Sequence, residues 1–169
     1  MRKCVYLTEG ECEEKLVKAL KGSPSMILPG KVKRFNVIQN ELSASMLMQF
    51  EPDSMVVLVF DTDKAITEHL KKNIEMLRSL SFEVEVLTVA QVLNFEDEIE
   101  RATDVTKALD LTRSRSVDDF KRAVNRMKEK EFRNALKRHK LDMTLLWNQN
   151  PPRTFRFVKQ DAEKVKGND

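Results

Sequence analysis

The stretch that decides the fold is Met55-Val56-Val57-Leu58-Val59-Phe60, which is followed at once by Asp61-Thr62-Asp63. An uninterrupted apolar run of this length, rich in valine, is typical of a parallel β-strand that is covered on both faces. We therefore predict a buried strand over residues 55–60. The two aspartates then lie directly beyond the carboxyl end of that strand.

Strand and helix patterns alternate on both sides of this run. The predicted strands span residues 4–7, 33–38, 55–60 and 82–86, and the predicted helices span residues 11–21, 41–49 and about 65–77. Such alternation predicts an α/β, Rossmann-like fold, with a mostly parallel four-stranded sheet flanked by helices. Polar and apolar residues alternate in 82–86, which places that strand nearer the sheet edge.

The second part of the chain is mainly helical in pattern. Ser116-Val117-Asp118-Asp119 predicts a helix start, and Phe120, Val124 and Phe132 follow as its inward-facing positions. Residues 154–158 predict a last short strand. We divide the chain into an α/β domain over residues 1–100 and a basic, mainly helical extension over residues 101–169 that packs on it.

Composition excludes several classes of protein. A chain of 169 residues that is 41% hydrophobic and 34% charged is neither collagen-like nor wholly disordered. No apolar run approaches the roughly 20 residues of a membrane helix, and the start of the chain has no secretory leader pattern, so we expect a cytoplasmic protein without a membrane partner. Two cysteines and two histidines argue against a disulfide framework and a zinc site.

Charge is distributed unevenly along the chain. Residues 1–110 carry 14 basic and 19 acidic residues, a net charge of −5, whereas residues 111–169 carry 16 basic and 8 acidic residues, a net charge of +8. This asymmetry suggests that one part binds cations and the other binds a polyanion. The alternative is a solvated, charge-rich helix, and charge alone favours that alternative.

Acidic side chains follow three of the four predicted strands. They are Glu9 and Glu13 after the first strand, Asp61 and Asp63 after the third, and Glu96, Asp97 and Glu98 after the fourth. Ligands of open α/β sheets bind beyond the carboxyl ends of the strands, so these carboxylates are expected in one crevice. Crowded carboxylates repel one another unless a cation joins them, and all-oxygen ligands favour Mg²⁺ or Mn²⁺. Two such ions about 4 Å apart would clamp the attacking and leaving oxygens of a phosphodiester.

Each acidic residue also has a structural interpretation. Asp61 or Asp63 would serve as the N-cap of a helix that begins near Ala65. Glu9 would complement the dipole of the helix after it, and Glu13 would be solvated surface. Only the combination of a glutamate at one strand end and Asp-x-Asp at another favours a functional site.

That combination resembles the Toprim (topoisomerase–primase) domain. The resemblance covers about residues 3–100 and comprises a strand ending in Glu9-Gly10 and an apolar strand ending in Asp61 and Asp63. The spacing of Glu9 and Glu13 is closer to the OLD-type and RloB-like Toprim nucleases than to topoisomerases or primases. Many Toprim proteins have a glycine soon after Asp-x-Asp, where this chain has Lys64-Ala65-Ile66.

The resemblance implies metal-dependent phosphoryl transfer on nucleic acid. Glu9 would be a metal ligand or general acid/base, Asp61 and Asp63 would hold Mg²⁺, and Glu13 with one of Glu96–Glu98, for which we choose Glu96 and Glu98, would complete a second ion site. OLD-type proteins usually carry an ATPase module, but this chain has no Gly-x-x-x-x-Gly-Lys phosphate loop. It would therefore act alone or with a separate ATPase or other partner protein.

The basic second part supplies candidate contacts to nucleic acid. If residues 116–140 form one helix, four cations fall near one stripe and neutralise phosphates: Arg122, Arg126, Arg133 and Lys137. Trp147 would stack on a base, although packing under a loop is the simpler expectation for it.

Three hypotheses follow for the function. The first is an Mg²⁺-dependent nuclease acting on DNA or RNA, in defence or nucleic-acid repair. The second is a non-catalytic Toprim-like module that binds nucleic acid or a nucleotide together with a partner protein. The third is an unrelated α/β interaction domain whose carboxylates are helix caps. The sequence leaves the oligomeric state open.

Overall fold

A computed structural model of the protein describes residues 3–167. Within that range the chain forms a single sheet of four strands, all parallel. The strands are β1 (Cys4–Thr8), β2 (Lys31–Arg34), β3 (Ser54–Asp61) and β4 (Val84–Gln91). Their order is β2-β1-β3-β4. The predicted α/β class with a parallel sheet is confirmed, and β4 is an edge strand, as its alternating pattern indicated.

Helices connect and follow these strands. They are α1 (Glu11–Lys21), α2 (Ala44–Leu47), α3 (Glu68–Arg78), α4 (Phe95–Ala102), α5 (Val117–Arg126), α6 (Glu129–Arg138) and α7 (Ala162–Val165). Two 3-10 turns cover Ala108–Leu111 and Arg153–Phe155. Among residues 3–167, no helix has both the length and the apolar character needed to cross a membrane.

The central strands of the sheet are buried on both faces, and β3 contributes to both cores. Val57 and Val59 face a first core formed with α1, α4, α5, α6 and α7. Leu58 and Phe60 face a second core formed with α3 and the segment of residues 37–50. All four side chains are fully buried, and each buried side chain of this size contributes about 1.5–3 kcal/mol. The apolar run 55–60 is thus explained by burial on two sides.

The second strand lies earlier in the chain than residues 33–38. Strand β2 ends at Arg34 because Asn36 turns the chain: its Oδ1 accepts hydrogen bonds from the N–H groups of Ile38 and Gln39, both at 3.0 Å. Val37 and Ile38 then bury their side chains in the second core. The alternating apolar positions Phe35 and Val37 therefore reflect packing against this core beyond the end of β2.

The predicted single helix over residues 116–140 is wrong, because the helix is interrupted between α5 and α6. Met127 and Lys128 adopt extended backbone angles, and the Met127 carbonyl accepts a hydrogen bond from Lys15 Nζ at 2.7 Å. The predicted start is confirmed, since Ser116 Oγ accepts from the N–H of Asp119 at 3.1 Å. The break places Arg122 and Arg126 on one helix and Arg133 and Lys137 on the next.

The predicted strand over residues 154–158 is also wrong, because a 3-10 turn occupies its start. The segment beyond it nevertheless covers the open edge of β4. The Gln160 side chain donates to Ala90 O at 2.8 Å and accepts from Ala90 N at 3.2 Å. The backbone N–H of Asp161 donates to Thr88 O at 2.8 Å. This segment therefore satisfies backbone groups that an edge strand would otherwise expose.

We predict that Phe155→Ala destabilises the whole protein by about 3–5 kcal/mol, because a fully buried aromatic side chain leaves a cavity. Phe155 is fully buried and stacks on Phe60 of β3, with ring centroids 5.8 Å apart. Chemical denaturation measures the change. Phe157→Ala is the matched control, since the Phe157 side chain is partly exposed, and its cost should stay near 1 kcal/mol or below. Equal effects of the two variants would contradict the burial argument.

Candidate functional site

The candidate site lies at the carboxyl ends of β1 and β3, the two central strands. From β1 the chain crosses to β2 on one side, and from β3 it crosses to β4 on the other, while α1 and α3 lie on opposite faces. This is the topological switch point, where parallel sheets open a crevice for ligands. The sequence places Glu9 directly after β1 and Asp61 at the end of β3.

Glu9 connects the two strand ends. Its Oε2 accepts a hydrogen bond from the backbone N–H of Asp61 at 2.9 Å, and its Oε1 accepts one from Asn36 Nδ2 at 3.0 Å. The Glu9 carboxylate is therefore fixed in orientation by β3 and by the turn after β2. Sequence reasoning missed Asn36, since its role as a donor to Glu9 depends on how strands are ordered in space.

Glycine at position 10 makes room for the next carboxylate. Helix α1 begins just after Gly10, and Glu13 is buried in its first turn with 7% of the residue exposed. A Cβ atom on residue 10 would lie 2.7 Å from Glu13 Oε2, closer than such contacts allow. Glycine at position 10 therefore has a steric explanation, because any larger residue there would displace the Glu13 carboxylate.

Asp61 is the most strongly perturbed acid of the cluster. Its Oδ1 accepts a hydrogen bond from Gln91 Nε2 of β4 at 3.2 Å. Burial raises the pKa of Asp61 to about 9, and the negative charges of Glu13, Glu9 and Asp63, with a smaller one from Glu96, add to the shift. Asp61 is therefore largely protonated at neutral pH while no cation is bound.

Glu13 is perturbed in the same direction. Burial raises its pKa, and the charges of Glu9 and Glu96 raise it further, whereas the positive charge of Lys121 lowers it. Lys121 Nζ lies 3.1 Å from Glu96 Oε1, so α5 brings a cation to the edge of the acidic cluster. Nothing in the local sequence distinguishes Lys121 from the other basic residues around it.

The interpretation of Asp61 or Asp63 as a helix cap is wrong. Helix α3 begins at Glu68, and its N-cap residue is Thr67. Asp63 lies exposed in the loop between β3 and α3. The aspartates are thus not explained by local helix capping.

Glu98 is the predicted ligand whose carboxylate is completely buried and paired. The carboxylate pairs with Arg101 at 2.7 Å. Its oxygens also accept from the backbone N–H groups of Val92 at 3.1 Å and Trp147 at 2.9 Å. These contacts direct Glu98 to the loop that holds Trp147, so we leave it out of the cluster, which consists of Glu9, Glu13, Asp61, Asp63 and Glu96.

The four predicted nucleic-acid contacts are divided between α5 and α6. Arg122 pairs with Asp119 at 2.6 Å, and Arg133 Nη1 donates to the backbone oxygen of Ala19 at 2.9 Å. Arg126 and Lys137 are exposed on different helices. Trp147 is fully buried, so the expectation that it packs under a loop is confirmed and base stacking on it is excluded.

The carboxylate oxygens of the cluster are suitable ligands for a divalent cation, but they are not arranged around a common point. Within residues 3–167, no three His, Cys, Asp or Glu side chains are arranged to hold a metal ion together. The donors are all carboxylates, and the repulsion that raises the pKa of Asp61 and Glu13 is the kind that a cation relieves.

No protein-family model, curated protein or solved structure matches this chain.

We predict that Asp61→Asn makes the metal-free protein more stable, and more so at pH 8 than at pH 5. Because the folded-state pKa of Asp61 is raised to about 9, from about 3.9 in the unfolded chain, folding favours its protonated form. Stability from this group is therefore lost as pH rises from about 4 to about 9, by at most about 1.4 kcal/mol per pH unit. Denaturation of both proteins across this range in EDTA measures the difference. A pH profile of Asp61→Asn parallel to that of the wild type would contradict the shift.

We predict the opposite effect for Glu98→Gln, which should destabilise the protein by about 2–4 kcal/mol. The change removes the negative charge of the buried pair with Arg101 and replaces one of the two acceptor oxygens by an NH2 donor, which cannot accept from a backbone N–H group. Equilibrium denaturation in the presence and absence of Mg²⁺ tests this expectation, because the loss should not depend on the metal. A Glu98→Gln protein of wild-type stability that has lost its response to Mg²⁺ would return Glu98 to the metal set.

Proposed function

We propose that this chain is a Toprim-like, Mg²⁺-dependent nuclease that hydrolyses phosphodiester bonds in DNA or RNA. The observation that carries the proposal is the gathering of acidic side chains around Asp61 at the carboxyl ends of β1 and β3, where burial and the charges of Glu13, Glu9 and Asp63 raise the pKa of Asp61 to about 9. Such crowding costs folding stability, and it is expected where a protein holds divalent cations. Mn²⁺ would serve in place of Mg²⁺.

The acidic residues of the cluster would have different roles in this reaction. A bound divalent cation lowers the pKa of water and stabilises charge on phosphate oxygens. Asp61 and Glu13 are the carboxylates that would gain most from holding it, and the exposed Asp63 side chain is free of helix capping. Glu9, fixed by the N–H of Asp61 and by Asn36, would orient the nucleophile as general base or complete the ligand set.

A binding module that acts with a partner protein is the second candidate. The observation that favours it is that both Glu9 oxygens already accept hydrogen bonds and Glu96 is paired with Lys121. These contacts would have to loosen before either residue could enter a ligand set. A site that kept them would bind a cation or nucleic acid without positioning a reactive water.

The deciding experiment is cleavage of labelled single- and double-stranded DNA and RNA in Mg²⁺ and in Mn²⁺. We expect the wild-type protein to cleave at least one of them, and we expect Asp61→Asn and Asp61→Ala to reduce the rate by at least about 100-fold, since a lost metal ligand removes several kcal/mol of transition-state stabilisation. EDTA should abolish the activity.

Asp118→Asn is the matched control, because it removes one carboxylate at an exposed position of α5. It should retain wild-type activity. Thermal denaturation supplies a second readout: Mg²⁺ should raise the midpoint of the wild type and of Asp118→Asn, but not that of Asp61→Asn. A metal-dependent rise without cleavage of any substrate would support the binding module. The absence of both cleavage and a metal-dependent rise would overturn both candidates.

A further inference from the structure

A basic groove lies beside the loop that carries Asp63. It is an open depression of about 720 Å³ between the start of α3 and the 3-10 turn that begins at Arg153. Ala65 and Glu68 form one wall, and Arg153, Arg156 and Phe157 form the other. We call this surface the arginine groove. Because Ala65 follows Asp63 by two residues, the same loop borders both the groove and the acidic cluster.

The arginine groove is anchored to the strand that ends in Asp61. Phe155 lies between Arg153 and Arg156 in sequence, is fully buried, and stacks on Phe60 with ring centroids 5.8 Å apart. Phe60 directly precedes Asp61. Hydrogen bonds of Gln160 to β4 hold the far end of the same segment. The two arginines are therefore held at a defined place relative to the acidic cluster.

The guanidinium groups of Arg153 and Arg156 are exposed to solvent. No ion pair in the described part of the chain includes either of them. The carboxylate in the groove wall is that of Glu68, which accepts the N–H of Thr67 at 3.1 Å. By contrast, Arg122 of the predicted stripe is paired with Asp119. The groove thus presents two guanidinium groups suited to bidentate contact with phosphate.

An aromatic face completes the groove. Phe157 is 37% exposed and stacks on Phe155 with ring centroids 6.4 Å apart. Lys71 Nζ lies over the Phe157 ring, 4.9 Å from its centre, so a base that stacked on this ring would take the place of the Lys71 ammonium group. An exposed aromatic ring among cations is the arrangement on which unpaired bases stack while their phosphates are neutralised.

We propose that the arginine groove binds single-stranded nucleic acid and leads the strand to the acidic cluster. Arg153 and Arg156 would contact successive phosphates, and an unstacked base would lie on Phe157. In a duplex the bases are stacked on one another and cannot reach the ring, so the groove selects single strands. This inference rests on the proposed nuclease function, to which it adds the substrate class and the path of the strand.

Fluorescence anisotropy with labelled oligo(dT) and oligo(U) of about 15 nucleotides tests the proposal, with a duplex of the same length for comparison. The measurements use the full chain carrying Asp61→Asn, in EDTA, so that cleavage cannot occur. We expect Arg153→Glu/Arg156→Glu to weaken single-strand binding at least 10-fold. Neutralisation by Arg153→Gln/Arg156→Gln should lower the salt dependence of binding by about 1.4 in the log–log slope, the value for two phosphate contacts on a single strand.

Arg126→Glu/Lys137→Glu is the matched control. It changes the net charge by the same amount at two exposed residues, one on α5 and one on α6, and it should weaken binding less than about 3-fold. A loss equal to that of the groove variant would mean diffuse electrostatic binding and would overturn the proposal. Duplex binding as tight as single-strand binding would overturn it as well.

Phe157→Tyr and Phe157→Leu test the stacking contact. The tyrosine variant keeps an aromatic face and should bind like the parent, whereas the leucine variant should bind about 5- to 150-fold more weakly. Thermal denaturation checks that both variants are folded. Equal affinity of the leucine and tyrosine variants would show that no base lies on residue 157.

Cleavage assays on proteins that keep Asp61 separate this inference from the proposed function. If the wild type cleaves and the groove variants bind and cleave like it, the groove assignment fails and the nuclease stands. If the groove variants lose single-strand binding but no protein cleaves any substrate, the groove stands and the nuclease fails.

Discussion

The hydrogen bond from the N–H of Asp61 to Glu9 joins the carboxyl ends of the two central strands, and the arrangement of the site depends on it. The two central strands, β1 and β3, are buried along their length and carry no charged side chain before Asp61, because a strand covered on both faces leaves little room for charge. At the switch point between β1 and β3, Glu9 and Asp61 come into contact. Glu13 and Asp63 then enter from the elements that follow each strand.

The acidic cluster carries an electrostatic cost that the rest of the fold must offset. Burial and repulsion raise the pKa of Asp61 and Glu13, and Lys121 supplies a positive charge close to Glu96. Two large apolar cores on either side of the sheet provide the compensating stability. The contrast with Glu98, which is buried but paired and fully hydrogen-bonded, separates a carboxylate that holds the structure together from carboxylates that strain it.

The segment beyond residue 150 connects the edge of the sheet with the surface of the candidate site. Gln160 and Asp161 satisfy backbone groups of β4, and Phe155 packs on Phe60. Because these contacts hold the segment on the α/β core, the arginines at its start stand beside the loop after β3. A short stretch with little regular structure thus serves both to protect an edge strand and to form the arginine groove.

The sequence by itself determined the α/β class, the buried strand over residues 55–60 and the carboxylates at the strand ends, because apolar periodicity and strand-end position are local properties of the chain. Local pattern failed where distant contacts decide the outcome. At the break between α5 and α6 the Met127 carbonyl accepts a hydrogen bond from Lys15 of α1, and Glu98 accepts one from the backbone N–H of Trp147. Only the tertiary structure decided which carboxylates meet, which cations remain unpaired and where the arginine groove lies, since each of these requires residues far apart in sequence to be placed side by side.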